Sequence, residues 1–542
     1  MIKRILMFGW LMLLVCVAVS PALAQTLETQ STPLTASTCS GQFVARPLDH
    51  FTTVNADPIR MFNSNGSGLA IGDLNNDGLL DVVLANLDQP ESILWNEGQL
   101  QFRHQELDIP GVTRSVIILD FDADGWRDIL FTTQRAAPSW WRNENGSGTF
   151  TLTPLNGVAN AAYAMNWGDL DADGDLDLVT GSYDAELSQL MTNDFLFNGG
   201  AGVYYYDNQD GNFVATRLAE TAQALAVYFT DLNGDGQRDI AVGNDFAEFD
   251  RYWVRDAGTW VESTPFSVFT HSTMSFDSGD LNNDGTSELF ATDMHPYSED
   301  EATMSAWEPV MQTMMAMPMM ENDPQVMINT LQSLQPGGYQ NVSDALGVDA
   351  SGWSWSSKFG DLNADGFLDL YSVNGMIAEE LFGHLPNHEL VEENQAFKNM
   401  SGSAFVAAPE WGLNATESGR GMSMADLDGD GDLDIVINNL RAPAMLFENQ
   451  LCEGSHLIVN LRQSNSANTD ALGARLTLFT STGVYQREVH AASGYLSGDA
   501  SQVHFGFPSE STLEALEVQW VDGTVSRVEA LSPNSALSLT RP

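Results

Sequence analysis

Positive charge is scarce in this 542-residue sequence: 22 Lys plus Arg stand against 73 Asp plus Glu, a formal net charge of -51. A field of that sign repels phosphate backbones and anionic lipid, so nucleic acid is excluded as a partner. Cysteine is scarce too, with three in the chain and no CxxC pair, and neither GxSxG nor a Walker loop occurs. Beyond the first 24 residues no apolar run approaches the roughly 20 residues that a membrane span needs. Disorder is excluded for most of the chain because 43% of it is hydrophobic, enough for a large core and, at about 150 residues per domain, for several domains. The 46 glycines and few lysines point to a turn-rich β protein.

Residues 1–24 have a basic start (Lys3, Arg4), an apolar stretch from Ile5 to Val19 and a small-x-small end at Ala22-Leu23-Ala24, the pattern of a secretory signal peptide. Val15 before Cys16 is a poor lipobox residue, so export without a lipid anchor is expected. The mature chain keeps Cys39 and Cys452 for a compartment where disulfides persist. Residues 25–38, rich in Thr and Ser, read as a flexible leader.

One nine-residue pattern recurs seven times: DLNNDGLLD from Asp73, DFDADGWRD from Asp120, DLDADGDLD from Asp169, DLNGDGQRD from Asp231, DLNNDGTSE from Asp280, DLNADGFLD from Asp361 and DLDGDGDLD from Asp426. The intervals are 47, 49, 62, 49, 81 and 65 residues, the length of about four strands with insertions in the longer units. Short β-rich runs follow each pattern, such as VVLAN from Val82 and IVINN from Ile435, and others precede it, so each acidic loop is a hairpin between two strands. Units that bury no face alone close into a ring. The expected fold is therefore all-β: a seven-bladed β-propeller over residues 39–454, interrupted by a helical Met-rich insert at about 296–335. A small C-terminal β-sandwich-like domain follows at 455–542. The first strand after Phe43, which has no acidic loop of its own, is expected to complete the last blade.

The glycine at position 6 of each loop lets the side chains at positions 1, 3, 5 and 9 converge with the carbonyl of position 7. All-oxygen ligation of that kind suits Ca²⁺, whereas Mg²⁺ prefers a tighter octahedron and zinc wants His or Cys. The expected ligands are Asp73, Asn75, Asp77 and Asp81; Asp120, Asp122, Asp124 and Asp128; Asp169, Asp171, Asp173 and Asp177; and Asp231, Asn233, Asp235 and Asp239. They continue with Asp280, Asn282, Asp284 and Glu288; Asp361, Asn363, Asp365 and Asp369; and Asp426, Asp428, Asp430 and Asp434, for up to seven ions. An EF-hand is excluded, because position 12 holds Leu84, Phe131, Thr180, Val242, Ala291, Ser372 and Ile437 where a bidentate Glu is required. The loops contain only 26 of the 73 acids, so calcium accounts for part of the acidity.

With these residues in view, the chain resembles the FG-GAP/VCBS-repeat proteins that end in an ASPIC/UnbV domain, the cartilage acidic protein family. The loops are similar to the calcium hairpins of integrin α-subunit propellers. LGAR at Leu472 to Arg475, SGYLS at Ser493 to Ser497, HFGF at His504 to Phe507 and the VQW before Val521 look like ASPIC/UnbV motifs, with Val521 departing from a usual proline. The resemblance implies an extracellular calcium-binding protein in adhesion or matrix contact.

The reading that follows is a non-enzymatic, secreted, periplasmic or cell-surface module that binds a protein or glycan without membrane insertion. The alternative is a carbohydrate-active enzyme of the polysaccharide lyase type, disfavoured by the shortage of Lys and Arg to neutralise a uronate. No acid pair stands apart from the loops as a catalytic dyad. The methionines from Met304 to Met327 read as a helical lid on the ring, His384 and His388 as loop residues, and Trp353 and Trp355 as core. A disulfide between Cys39 and Cys452 is expected at the seam of the last blade.

Overall fold

The structure is a computed structural model that describes residues 27–190, 202–246, 248–315 and 322–542. The expected signal peptide, with Cys16, lies outside the described residues, as do Met317, Met319 and Met320. Secondary structure is almost wholly strand, and each acidic loop joins the first two strands of a four-stranded antiparallel sheet.

The first strands are Leu69–Gly72, Thr113–Leu119, Ala164–Gly168, Ala224–Thr230, Phe276–Gly279, Gly352–Gly360 and Gly419–Ala425. Each contacts the next around a circle, and the last returns to the first, so the sheets are the blades of a closed propeller. The second strands, such as Asp81–Leu84 and Asp128–Thr133, are buried at every position, which is why their sequences are unbroken apolar runs. Fourth strands such as Phe102–Leu107 are largely exposed and polar.

Val44–Phe51 supplies the fourth strand of the seventh blade, with Val44 opposite Glu448 and Arg46 opposite Leu446. Arg46 is also ion-paired to Glu448. Beside this seam Cys39 and Cys452 form a disulfide, their Cα atoms 5.6 Å apart.

Two expectations need correction. The stretch read as a flexible leader contains a strand, Glu28–Pro33, paired antiparallel with Ser535–Arg541 at the edge of a C-terminal sheet. All six of its residues are exposed and it is held chiefly by backbone hydrogen bonds, so no apolar alternation announces it. The Met-rich insert also ends sooner than expected, because Thr330–Gln335 is the third strand of the fifth blade. The helix of the insert is Glu301–Met315; Trp307 and Val310 are buried on the ring, with Met311 and Met314 packed beside them.

The C-terminal residues form two four-stranded sheets, one centred on Ser455–Gln463 and the other on Arg475–Thr480. They do not own a separate core. Leu457, Leu476, Phe505 and Trp520 share one apolar cluster with Ile117, Leu130, Trp167 and Leu178 of the second and third blades. This unit therefore caps the propeller.

One hairpin of the cap enters the ring. Gly498 lies opposite Ala70 of the first blade and Ser497 opposite Val116 of the second, so two blades are bridged through Ser497–Gly498. Gly494 N donates to Phe276 O at 2.8 Å, Tyr495 N to Ser356 Oγ at 3.1 Å and Met422 N to Ser497 Oγ at 3.2 Å. At the tip, the Tyr495 and Tyr163 hydroxyls are 2.6 Å apart, Gly66 N donates to Tyr495 at 3.1 Å, and Trp355 packs against the Tyr495 ring. The fit leaves no room for a Cβ on Gly68, which would lie 2.0 Å from Leu496 O.

Candidate metal centres and the cap that covers them

Each acidic hairpin is wired into its blade in the same way. The position 9 carboxylate accepts from the backbone N–H of position 2 at 2.8–3.3 Å in all seven loops. Its second oxygen accepts, in six blades, from a backbone N–H of the third strand at 2.7–3.2 Å: Asn96, Asn143, Asn208, Arg255, Asn399 and Asn449. In the fifth blade the Ser333 hydroxyl donates to Glu288 at 3.0 Å. In loops 1 to 6 the position 6 glycine N–H donates to the position 1 carboxylate at 2.8–3.2 Å. These bonds fold the loop so that positions 1, 3 and 5 face one another.

The side-chain oxygens converge in the all-Asp loops. Asp120, Asp122 and Asp124, then Asp169, Asp171 and Asp173, then Asp426, Asp428 and Asp430 each bring three carboxylate oxygens within 4.8 Å of one another. In loops 1, 4, 5 and 6 position 3 is Asn, whose amide donates to the position 5 Asp: Asn75 to Asp77 at 2.9 Å, Asn233 to Asp235 at 3.0 Å, Asn282 to Asp284 at 3.1 Å and Asn363 to Asp365 at 3.0 Å.

Burial dominates the electrostatics. It pushes Asp81, Asp128, Asp177 and Glu288 up to about 7 and Asp239 to about 6, and it drives Asp369 and Asp434 well above the usual carboxylate range. At position 1, burial and then the neighbouring acids raise Asp169 and Asp426 to about 7. Several buried oxygens have no protein partner: Asp169 Oδ1, Asp175 Oδ1, Asn363 Oδ1 and both oxygens of Asp432. An all-oxygen donor set crowded with carboxylates and holding partnerless buried oxygens fits a hard divalent cation.

Sequence reasoning missed three things. Asp175 and Asp432, at position 7 of loops 3 and 7, add buried side-chain oxygens without a protein partner in those two loops. Third-strand asparagines link neighbouring loops in four blades, where the side-chain amide reaches the position 2 carbonyl of the preceding blade. Asn143 donates to Leu74 O at 2.7 Å, Asn399 to Leu281 O at 2.9 Å, Asn449 to Leu362 O at 2.8 Å, and Asn96 closes the circle on Leu427 O at 2.8 Å. Arg255 takes this role in the fourth blade, donating to Leu170 O at 2.6 Å. The recurring Asn, 15 residues after Asp81, Asp128 and Asp434, was a usable signal.

The third is that the cap covers the loop face. Arg462 Nη2 donates to Asp120 at 2.8 Å with Thr469 at 3.1 Å, and Arg475 donates to Asp231 at 3.2 Å. Ser466 and Asn468 N donate to Gly174 O at 2.7 and 2.9 Å, and Thr35 N to Gly429 O at 2.8 Å. A cleft of about 440 Å³ remains between the cap and loops 4 to 6, with Asp277, Lys358, Arg475, His490 and Asp499 on its walls. Lys358 is tied there to Asp499, and Arg238 nearby to Glu488.

Trp353 and Trp355 are both buried, as expected of core. His384 lies on a turn with Nε2 3.0 Å from Ala306 O. Among the described residues no group of metal-ligating side chains outside the loops has comparable geometry.

Residues 464–542 match the family described as ASPIC and UnbV, and residues 73–131, 120–180 and 231–291 match the FG-GAP-like repeat. The chain carries FG-GAP-like repeats and an ASPIC and UnbV domain. Cartilage acidic protein 1 of Homo sapiens is 34% identical over 131 residues, 23% of this chain and 19% of that protein. The Xenopus tropicalis protein of the same name is 31% identical over 131 residues, 23% and 20% of the two chains. The chain thus spans about a fifth of the length of these relatives. Among solved structures, BBS1N in its complex with ARL6DN has a TM-score of 0.40 at 10% identity, covering 77% of this chain and 98% of its own. The Neurospora crassa Pan2 WD40 domain has a TM-score of 0.41 at 9% identity, covering 76% and 97%. The cap described above contains the ASPIC and UnbV match, and the hairpin that enters the ring lies inside that match. No helix among the described residues is long and apolar enough to cross a membrane.

Proposed function

We propose that this chain is an exported, calcium-holding β-propeller that serves as an extracellular interaction module for a protein or glycan surface. The observation that carries the reading is the common wiring of seven acidic hairpins, each folded by its own backbone into an oxygen-lined turn. Calcium suits that donor set, and the acids at positions 1, 3, 5 and 9 would hold it with the position 7 carbonyl. When bound, the ion supplies positive charge to crowded carboxylates. The chain's own residues hold the hairpins shut, tie five of the loops to the next blade and seat the cap. The disulfide and the likeness to an acidic protein of cartilage support an extracellular setting.

The loop face is occupied by the cap, so recognition falls to the opposite face. The helix Glu301–Met315, in the connection after the second strand of the fifth blade, lies there with its Trp307 packed against Trp353 of the sixth blade. The decisive experiment is capture of extracellular proteins and of glycans, with calcium and with EGTA, alongside elemental analysis. The double variant Asp171→Ala with Asp173→Ala is expected to melt earlier and to lose binding only as it unfolds. A variant that keeps its melting curve but loses turnover of an acidic polysaccharide would install the lyase reading, for which the cleft beside Lys358 and Arg475 offers room.

A further inference from the structure

Loop 2 differs from the others in what lies across it. The third strand of its blade, Ser139–Asn143, carries Arg142 immediately before the asparagine that ties the ring. The guanidinium folds back over the hairpin, with Nε donating to Asp122 Oδ2 at 2.6 Å and Nη2 to Asp124 Oδ2 at 2.5 Å, while Nη1 stands 3.8 Å from Glu144. The remaining oxygens are also engaged. Asp122 Oδ1 accepts from Asp124 N at 3.3 Å and Asp124 Oδ1 from Trp126 N at 2.9 Å. Both Asp120 oxygens accept from Gly125 N, and one also from Arg462 and Thr469 of the cap. The Asp128 oxygens take Asn143 N and Phe121 N. All eight carboxylate oxygens of this loop therefore have a protein donor, and two arginines offset its four negative charges.

No other loop has this combination. The residues at the same strand position are Trp95, Asp207, Val254, Gln332, Lys398 and Glu448. Lys398 is the one other cation, and its Nζ stands 3.9 Å from Asp365 and equally 3.9 Å from Glu453. That is a shared point charge, not a two-toothed clamp. Loop 3 is the opposite extreme. Asp207 adds an acid beside it, Asp169 and Asp175 keep oxygens without partners, and Arg255 comes no nearer to Asp171 than 3.7 Å.

We infer that Arg142 takes the place of the ion in loop 2, so that this hairpin closes without calcium and Arg142 limits the chain to six ions. The inference rests on the calcium reading of the other loops. A planar guanidinium that bridges positions 3 and 5 holds the two carboxylates an entering ion must capture, and it brings its own charge. Unlike an ion, it cannot be removed by chelation.

Native mass spectrometry of the full exported chain in calcium counts the ions. The expected result is at most six in the wild type and one more in Arg142→Gln; Arg142→Met, which keeps a stem over the hairpin, is the second variant and gains the same ion. Terbium supplies a second readout. Emission excited through indole should rise in Arg142→Gln and lose that increment when Trp126 of the loop is changed to Phe. Seven ions in the wild type, or equal counts in wild type and both variants, overturns the inference alone. No ions in any of them overturns the calcium reading with it.

Discussion

In the ring one set of contacts is repeated around a circle: an acidic hairpin, a backbone clamp on its last carboxylate and, in most blades, a side chain reaching into the blade before. The cap repeats nothing. Its residues from Ser455 onward carry eight acids against five arginines, close to balance beside the whole chain's -51. It is joined to the ring by a shared apolar core, by arginines on two loops and by a hairpin in the central channel. The ring's strength is distributed and tuned by charge, whereas the cap's is concentrated and tuned by shape. The two should therefore fail in different ways when perturbed.

The largest effect expected is from removing metal. With calcium at ten times its Kd an occupied loop gains RT ln 11, about 1.4 kcal/mol, so several independent loops together contribute on the order of 8–10 kcal/mol. Excess EGTA should lower the melting temperature by many degrees and, because the cap rests on the loops, melt both parts in one calorimetric transition. A melt unmoved by EGTA would remove charge as what distinguishes the ring.

Next is the hairpin. Gly68→Ala sets a Cβ against Leu496 O, and Tyr495→Ala empties the pocket between Tyr163 and Trp355, each costing about 3–5 kcal/mol. Loss of the disulfide through Cys39→Ser should cost about 2–5 kcal/mol. Free-thiol titration of the denatured, unreduced wild type should find neither Cys39 nor Cys452.

The smallest effect is a pH dependence of opposite sign in two forms of the protein. In the metal-free form Asp81, Asp177 and Glu288 are pushed up to about 7 when folded, against about 4 when unfolded. A group raised in the folded state contributes stability below its unfolded value and loses it as pH rises through the folded one, so EGTA-treated protein should weaken from about pH 4 to about pH 7. Calcium-loaded protein should strengthen over that range, because the ion binds the charged form. Denaturant midpoints in both states would reveal the crossing or its absence.

The acidic hairpins, the blades and the seam strand were legible in the sequence because each is local or completes a counted pattern. The convergence of positions 1, 3 and 5 in the three all-Asp loops was legible for the same reason, through Gly at position 6. Glu28–Pro33 was hidden because its polar, exposed side chains say nothing about a strand made chiefly by its backbone. The hairpin at Tyr495 was hidden because Gly and Ser on both sides read as a loop, and only the width of the channel gives them strand partners. Arg142 was visible as a residue, but its reach across loop 2 depends on the third strand lying beside the hairpin, a distance in space and not along the chain.

The strand Glu28–Pro33 has a consequence for the order in which the protein can be made. Its partner, Ser535–Arg541, is the last strand of the chain, and the seventh blade likewise waits for residues made more than 390 positions after Val44. An early-emerging segment is thus left unpaired through nearly the whole of synthesis, and a stop before Pro443–Glu448, the third strand of the seventh blade, leaves the ring open. Strand pairing between these early and late segments therefore waits for late-made residues, and the Cys39–Cys452 disulfide can form only after the seventh blade has been made.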